Sequence, residues 1–306
     1  MPSSIRGRIS KNDEGSGRLR DFLYRSESLC FMSTHRVLPG FWLTLSYTVS
    51  YLFVLAVIPL GACFLKALSL SPQQFIAAVW SERTRASYVV TFGASFMAAV
   101  IDTILGLLLA WVLVRYQFPF KRFFDSLVDL PFALPTAVAG LVYSSLYSDN
   151  GWLGAFLVPW GIKLAYSQAG IVFVLAFIGL PFVVRTVQPV LESMEADVEE
   201  AAACLGATRW QTFTKVLLPA LYPALTTGFA LTFARAIGEY GSVVFISSNT
   251  PGTDEIAPVM IVQKLEEFRY AEATAVAVVL LVASFVMLII INSLEQRTAA
   301  ANSSAH

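Results

Sequence analysis

Residues 200–219 read EAAACLGATRWQTFTKVLLP, and with the residues just before them they predict two short helices. Asp197 is placed to cap the first helix, because Glu200 follows three residues later as in a capping box. Gly206 is placed to end this helix, since glycine tolerates the left-handed backbone that closes many helices. The first helix is therefore expected between Asp197 and Gly206.

The second predicted helix follows directly. Thr208 and Gln211 repeat the capping box, and Pro219 marks the expected end of the helix because proline has no backbone N–H to donate. Each helix would gather small or apolar side chains on one face. These are Val198, Ala201, Ala202 and Leu205 in the first helix, and Trp210, Phe213 and Leu217 in the second. Such faces need a partner to cover them.

The first of these faces suits close approach by another protein. Ala201, Ala202 and Gly206 leave the backbone accessible, and Glu200 and Arg209 have the charges to anchor a partner's rim through charged hydrogen bonds. The residues alone leave a second interpretation open, in which the loop merely packs on the ends of this protein's own helices.

The whole chain has the composition of a membrane protein. Apolar residues make up 56% of it and charged residues 14%, whereas about 25% of residues are charged in soluble proteins. The formal net charge is zero, so we expect no nucleic-acid partner. The three cysteines are an odd number without metal-ligand spacing, so neither a disulfide framework nor a metal site is predicted.

Six stretches are long and apolar enough to cross a bilayer, which takes roughly 20 residues as a helix. They lie at about residues 36–66, 85–115, 130–148, 164–184, 219–247 and 273–294. Residues 150–162 are apolar but too short to span, so we expect an outer-surface or re-entrant helix there. The first stretch lacks the features of a cleaved signal peptide and is expected to remain as an anchor. The predicted fold class is an all-α integral membrane protein with about six transmembrane helices.

The distribution of basic residues predicts the orientation. With the N-terminus inside, the inside segments carry 14 of the 21 Lys and Arg, the outside loops carry 6, and Arg235 lies within a span. The positive-inside rule then places both termini, and the loop 192–218, in the cytoplasm. Residues 1–40, with seven basic and four acidic side chains, are expected to form a disordered cytoplasmic arm. A weak attraction of this arm to anionic lipid is the alternative.

Three ionisable residues lie within the predicted spans: Asp102, Arg235 and Glu239. Each would cost roughly 2.5 to 3.5 kcal/mol at the bilayer centre unless it faces protein or water. Arg235 and Glu239 are four residues apart and are expected to pair on one helical face. The pair either fixes helix packing or leaves Arg235 on the translocation pathway, where its guanidinium would meet a dianion. Asp102 would repel an anion, so a helix-packing hydrogen bond is expected for it.

The spacing within the quoted loop resembles the EAA motif of importer permeases in the ATP-binding-cassette (ABC) superfamily. That motif is EAA, three residues, Gly, nine residues, a branched aliphatic residue, one residue, then Leu and Pro, and here it runs from Glu200 through Gly206 and Val216 to Pro219. The resemblance implies a type I (MetI-like) importer fold in which this loop is the coupling helix that docks into an ATPase subunit. It also implies the ATPase-coupling residues Glu200, Ala201, Ala202, Gly206 and Arg209.

A second resemblance narrows the subfamily. Residues 233–265, FARAIGEYGSVVFISSNTPGTDEIAPVMIVQKL, and their continuation to residue 285 resemble the T-type membrane subunit of sulfate and thiosulfate importers. Molybdate permeases share the EAA loop and remain the alternative. The resemblance implies a complex of this chain with a second, W-type permease, two copies of an ATPase, and a periplasmic sulfate-binding protein. The implied organisation is an arm at 1–40, a permease domain at 41–292 and a cytoplasmic tail at 293–306, in the cell inner membrane.

The chain itself is not expected to be an enzyme or to hold a cofactor. It has no GxxxxGK[ST] phosphate-binding loop, so ATP hydrolysis would belong to the partner ATPase. An integral membrane enzyme is disfavoured because both histidines, His35 and His306, lie in polar tails. An ion-coupled secondary transporter would also use intramembrane charges, but it leaves the EAA loop unexplained.

Overall fold

A computed structural model describes residues 41–194 and 196–303, and of residue 196 and residues 294–303 only the backbone is described. The predicted N-terminal arm at 1–40 and the last three residues of the predicted tail lie outside this range. The described residues up to Leu60 and those from Gly61 onward form two compact units. The described residues contain no β-strand, as the predicted all-α class requires.

The helices follow one another along the chain with short connections. A five-residue π-turn, Phe53–Val57, joins the first helix to the second. In chain order they are α1 Phe41–Leu52, α2 Ile58–Ala67, α3 Pro72–Val79, α4 Glu82–Arg115, α5 Lys121–Val128, α6 Leu130–Ala133, α7 Thr136–Tyr147, α8 Gly154–Leu157, α9 Gln168–Ser193, α10 Ala196–Cys204, α11 Arg209–Thr212, α12 Leu218–Ile237, α13 Val243–Ile246, α14 Ala257–Glu266 and α15 Tyr270–Ser303.

Within the described residues, five helical runs are long and apolar enough to cross a membrane. They are Phe41–Ala67, Glu82–Arg115, Gln168–Ser193, Arg209–Ile237 and Tyr270–Ser293. Five of the six predicted spans are thereby confirmed by length and composition. The most enclosed of these helices is Gln168–Ser193, in which 56% of the most apolar 18-residue stretch is buried. Helix α9 therefore lies at the centre of the second unit.

The predicted third span, residues 130–148, is not one continuous helix, and this corrects the sequence prediction. It folds as the four-residue α6 and the twelve-residue α7. Leu134 between them is extended (ψ 131°), because the ring of the following Pro135 disfavours helical backbone in the residue before it. The predicted outer helix at 150–162 is likewise short, comprising α8 and one turn of 3₁₀-helix, Val158–Trp160.

The centre of the second unit is the packing of α9 against α4 and α12. Small residues on α4 let the helices approach closely, as is common in membranes. At Gly106 a Cβ atom would lie only 2.7 Å from Val183 on α9. The shared apolar cluster includes Ala110, Val183 and Leu221, one from each of the three helices, and Leu221 and Val183 are fully buried.

Candidate coupling loop and membrane-embedded ion pair

The first helix of the loop is α10, which confirms the prediction in outline and corrects its start. Asp197 lies in the first turn of the helix, not at its N-cap, where its carboxylate complements the positive helix end. The predicted end is confirmed, because Gly206 has a φ of +82°. The N–H groups of Gly206 and Ala207 donate to the carbonyls of Ala203 and Ala202 at 2.9 and 3.0 Å, which is a Schellman motif.

The second helix begins as predicted but does not stop where predicted. Thr208 and Gln211 form the capping box. The prediction that the helix ends at Pro219 is wrong, because α11 passes through a π-turn, Phe213–Leu217, into α12 as one run from Arg209 to Ile237. Pro219 falls in the first turn after the π-turn, where a missing N–H is tolerated. The loop is therefore continuous with a membrane helix.

The loop also presents an uncovered apolar surface. Val198, Leu205 and Trp210 are 45%, 89% and 72% exposed, and Glu200 and Arg209 are exposed beside them. Other residues of the same loop do pack on this chain's own helices. Phe213 meets Trp111 of α4 edge-to-face, with ring centroids 5.7 Å apart, and Leu217 is buried. Each of the two interpretations that the sequence left open therefore describes a different face of the loop.

An ion pair that sequence reasoning missed joins this loop to α4. Arg115 is the last residue of α4, and its Nη2 lies 2.6 Å from Oε1 of Glu199 on α10. The guanidinium also lies over the ring of Trp111, 5.8 Å from its centroid. These residues border an open cavity of about 450 Å³ that Arg209 and Phe213 also line. Neither charge stands out in the sequence, because each sits among other charged residues at a predicted membrane boundary.

The predicted pair of Arg235 and Glu239 is present, with Nη1 and Oε2 2.5 Å apart. Its expected helical geometry is wrong, since α12 ends at Ile237 and Glu239 lies beyond it. The Glu239 carboxylate also accepts hydrogen bonds from the N–H and O–H of Ser242, both at 3.0 Å. The Glu239 side chain is 3% exposed and that of Arg235 is 36% exposed. The carboxylate is thus held inside the protein, whereas the Arg235 side chain is partly exposed.

The segment that follows this pair packs tightly against α7, the helix of the broken third span. A Cβ atom on Gly140 would lie 2.2 Å from the carbonyl oxygen of Ser242, and one on Gly241 would lie 2.5 Å from Oγ1 of Thr136. A Cβ atom at either position would clash, with the backbone of Ser242 in the first case and with the side chain of Thr136 in the second. The break at Pro135 therefore positions α7 beside the ion pair, a proximity that the apolar pattern did not indicate.

Asp102 does not make the hydrogen bond expected for it. Neither carboxylate oxygen has a hydrogen-bond partner among the described residues, although the residue is only 1% exposed. A Cβ atom on Gly179 of α9 would lie 2.3 Å from its Oδ2, so the carboxylate is pressed against the α9 backbone. The nearby Thr232 donates to the carbonyl of Gly179 at 3.1 Å and leaves Asp102 unpaired.

Two further acidic residues structure the segment between α13 and α14. Arg83 binds Glu255, whose side chain is fully buried, through Nε at 2.8 Å and Nη2 at 2.5 Å. Asp254 accepts hydrogen bonds from the backbone N–H groups of Ser248 and Thr250 at 2.7 and 2.9 Å, and from serine hydroxyls. Burial raises the pKa of Asp254, but these donors together hold that pKa below its usual value.

Grouped metal ligands are absent from the part of the chain that the structure describes. No three His, Cys, Asp or Glu side chains there are placed to hold a metal ion.

The family profile described as "Binding-protein-dependent transport system inner membrane component" matches residues 102–300. Two relatives are named sulfate transport system permease protein CysT. The one from Escherichia coli (strain K12) is 46% identical over 266 residues, which is 87% of this chain and 96% of the relative. The one from Synechocystis sp. is 48% identical over 261 residues, or 84% and 91% of the two chains.

Solved structures of ABC transporters share the fold. A bacterial transporter involved in the import of the acidic polysaccharide alginate superposes with a TM-score of 0.71 over 92% of this chain and 99% of that chain, at 17% identity. The MetNI methionine transporter, in an inward-facing conformation, gives a TM-score of 0.52 over 75% and 99% at 21% identity. The predicted MetI-like fold class is thereby confirmed. The chain belongs to the family of binding-protein-dependent transport system inner membrane components.

Proposed function

We propose that this chain is a pore-forming permease subunit of an ATP-driven importer of sulfate or thiosulfate. The names of its relatives support the substrate class, and the family supports the transport role. The observation that carries the proposal is the loop at 196–217, which exposes an EAA surface on its first helix and whose second helix continues from Arg209 without a break into the membrane helix α12. A loop built this way has a free docking face and a rigid connection to the membrane.

The proposed partners are supported by the family description, by the relatives' names and by the exposed face of the loop. A dimer of a separate ATPase would dock on Glu200, Ala201, Ala202, Gly206 and Arg209. A second permease subunit of the W type would complete the pore, and a periplasmic sulfate-binding protein would deliver the anion. The chain itself would be no enzyme and would need no cofactor, because it has no phosphate-binding loop of its own. The proposed orientation has both termini, and therefore this loop, in the cytoplasm.

In the proposed mechanism, closure of the ATPase pair on ATP displaces α10. That movement reaches the membrane by two connections. One is the continuous helix from Arg209 into α12, and the other is the ion pair of Arg115 and Glu199, which ties α10 to α4. Because α4, α9 and α12 pack as one block, they would move together as a rigid body. This movement would open the anion pathway toward the outside. ATP hydrolysis would then reset the block.

Arg235 and Glu239 are the proposed pathway residues. The Arg235 side chain is about one-third exposed, which lets an anion approach it, whereas Glu239 is buried and held by Ser242. A dianion would form charge-assisted hydrogen bonds with Arg235 as it passes. Glu239 would hold the guanidinium in position and receive it again when the anion leaves.

The test is a reconstituted complex of this chain with the second permease and the ATPase in proteoliposomes. We expect sulfate-loaded binding protein to stimulate ATP hydrolysis and ATP-dependent uptake of labelled sulfate. Stimulation by molybdate-loaded binding protein alone would overturn the substrate assignment. Sulfate uptake that proceeds without ATP would instead identify a secondary transporter.

A further inference from the structure

Helix α5, Lys121–Val128, has two faces of opposite character. Its outer face carries four large apolar side chains at helical spacing, all exposed. They are Phe120, Phe123, Phe124 and Leu127, with exposures of 78%, 62%, 49% and 44%. Nothing in the described part of the chain covers this face beyond ring contacts among Phe118, Phe123 and Phe124.

The inner face of α5 is bound to α9 by one arginine. Arg185 donates from Nε and Nη2 to the two carboxylate oxygens of Asp129, at 2.8 and 2.7 Å, and from Nη1 to Oδ1 of Asp125 at 2.8 Å. Arg185 thereby neutralises both carboxylates of this segment. Lys121 and Arg122 form no ion pair with any described residue, so they are the free charges of this helix.

The position of α5 in the chain places it at a membrane boundary. It starts six residues after the end of α4 at Arg115 and ends two residues before Leu130, where α6 starts. The apolar side chains on either side of it, Val112 on α4 and Phe132 on α6, are 42% and 56% exposed, as lipid-facing residues are. Because α5 connects these two lipid-facing segments, it lies at the membrane surface, where they leave the bilayer.

We infer that α5 is an in-plane helix that inserts its aromatic face among the lipids and binds anionic lipid headgroups through Lys121 and Arg122. The exposed phenylalanines supply apolar contact with the acyl chains, and each basic side chain near an anionic surface adds electrostatic attraction. Arg185 makes this possible, because without it Asp125 and Asp129 would repel the same headgroups. The inference is independent of the transported anion.

The first experiment measures lipid contact. A cysteine replaces Phe123 in a background where Cys30, Cys63 and Cys204 are serine, and it carries an environment-sensitive fluorophore in the full-length protein in nanodiscs. We expect a blue-shifted emission that lipids with brominated acyl chains quench. The same label at Glu267, an exposed residue between α14 and α15, is the control and is expected to stay polar and unquenched. A label at Leu127 repeats the test, in case Phe123→Cys disturbs folding.

The second experiment measures headgroup preference. At equal mole fraction, brominated phosphatidylglycerol is expected to quench the label several-fold more effectively than brominated phosphatidylcholine. Lys121→Gln with Arg122→Gln should remove this preference. The matched variant Lys163→Gln with Arg269→Gln, which removes two exposed charges elsewhere, should keep it.

Three outcomes would overturn the inference. An unquenched label at both Phe123 and Leu127 would show that the helix is off the membrane. Equal quenching by the two lipids in the wild-type charge background would refute anionic recognition. Loss of quenching when the ATPase is added would assign the aromatic face to that protein.

Discussion

At the scale of single residues, the two partners of the Arg235–Glu239 ion pair differ in exposure: Glu239 is held inside the protein, and Arg235 is partly accessible. Glu239 is held by two hydrogen bonds from Ser242 and is almost completely buried. Arg235 depends on Glu239 for its position but keeps part of its surface open.

The first prediction concerns Arg235→Gln. We expect sulfate uptake per assembled transporter to fall roughly 10- to 100-fold, because a hydrogen bond to a charged group is worth about 1.5 to 3 kcal/mol. Labelled-sulfate uptake into proteoliposomes measures the effect. Glu239→Gln is the matched variant, since it also breaks the ion pair but keeps Arg235. It should therefore retain more uptake than Arg235→Gln.

Unchanged uptake in a normally assembled Arg235→Gln complex would remove this residue from the pathway. Equal losses in both variants, together with equal falls in Tm, would instead assign the pair a structural role.

At the scale of helices, close packing holds α4 against α9, and the coupling loop is attached to this pair. Asp102 shows how tight the packing is, because its carboxylate is buried without a hydrogen bond against the α9 backbone. Asp102 therefore adds no hydrogen bond to the contact between α4 and α9, which rests on the close packing of small residues.

The second prediction is that Gly106→Ala destabilises the protein by about 1 to 3 kcal/mol, the usual cost of overpacking. The new Cβ atom would lie 2.7 Å from the Cβ and Cγ1 atoms of Val183, a stiff side chain in the core. Gly93→Ala on the same helix is the control, because nothing lies within 4 Å of its Cβ position. Thermal unfolding in detergent measures both. Equal Tm values for the two variants would contradict the packing described for α4 and α9.

The third prediction tests the connection between α10 and α4. Arg115→Glu and Glu199→Arg each place like charges together, so we expect each to lower the sulfate imported per ATP hydrolysed. The double charge reversal restores an ion pair and should recover most of this ratio. Arg269→Glu serves as the control, because it also reverses the charge of an ion-paired arginine, here bound to Glu272 and Glu267 and remote in sequence from the loop, and it should leave the ratio unchanged. Failure of the double variant to recover would show that Arg115 does not act through Glu199.

At the scale of the whole molecule, the exposed side of the coupling loop and the apolar spans make this chain one part of a larger assembly. The most apolar part of the first span, Phe41–Ala67, has no buried side chain. Leu205 is similarly exposed at the end of α10.

The fourth prediction is that Leu205→Asp abolishes binding of the ATPase without unfolding the permease. A charge on an 89% exposed side chain costs the isolated chain little, but it cannot be buried in a protein cleft without a partner. Co-purification of the ATPase and the Tm of the isolated permease measure the two effects. Phe268→Asp, at a residue 77% exposed and remote in sequence from the loop, should leave ATPase binding intact. Normal ATPase binding by Leu205→Asp would place the docking surface elsewhere.

Much of this protein could be predicted from sequence because the deciding signals are local. Apolar length determines a membrane span, and Thr208, Gln211 and Gly206 determine helix ends through bonds within a few residues. The prolines can also be read from the sequence, but their effect on a helix depends on the surrounding structure. Pro135 breaks the third span, whereas Pro219 is accommodated after a π-turn that no local pattern indicates.

Tertiary structure alone decided which distant charges meet. Arg185 pairs with Asp129 and Asp125, which lie 56 and 60 positions away, and Arg115 pairs with Glu199 across two helices. Such partners depend on how α4, α5, α9 and α10 pack. The spacing of residues along the chain does not predict that packing. The sequence by itself therefore determined five of the six predicted spans and, in outline, the two helices of the loop. The folded chain decided how the loop is fastened to the membrane helices, because that depends on long-range packing.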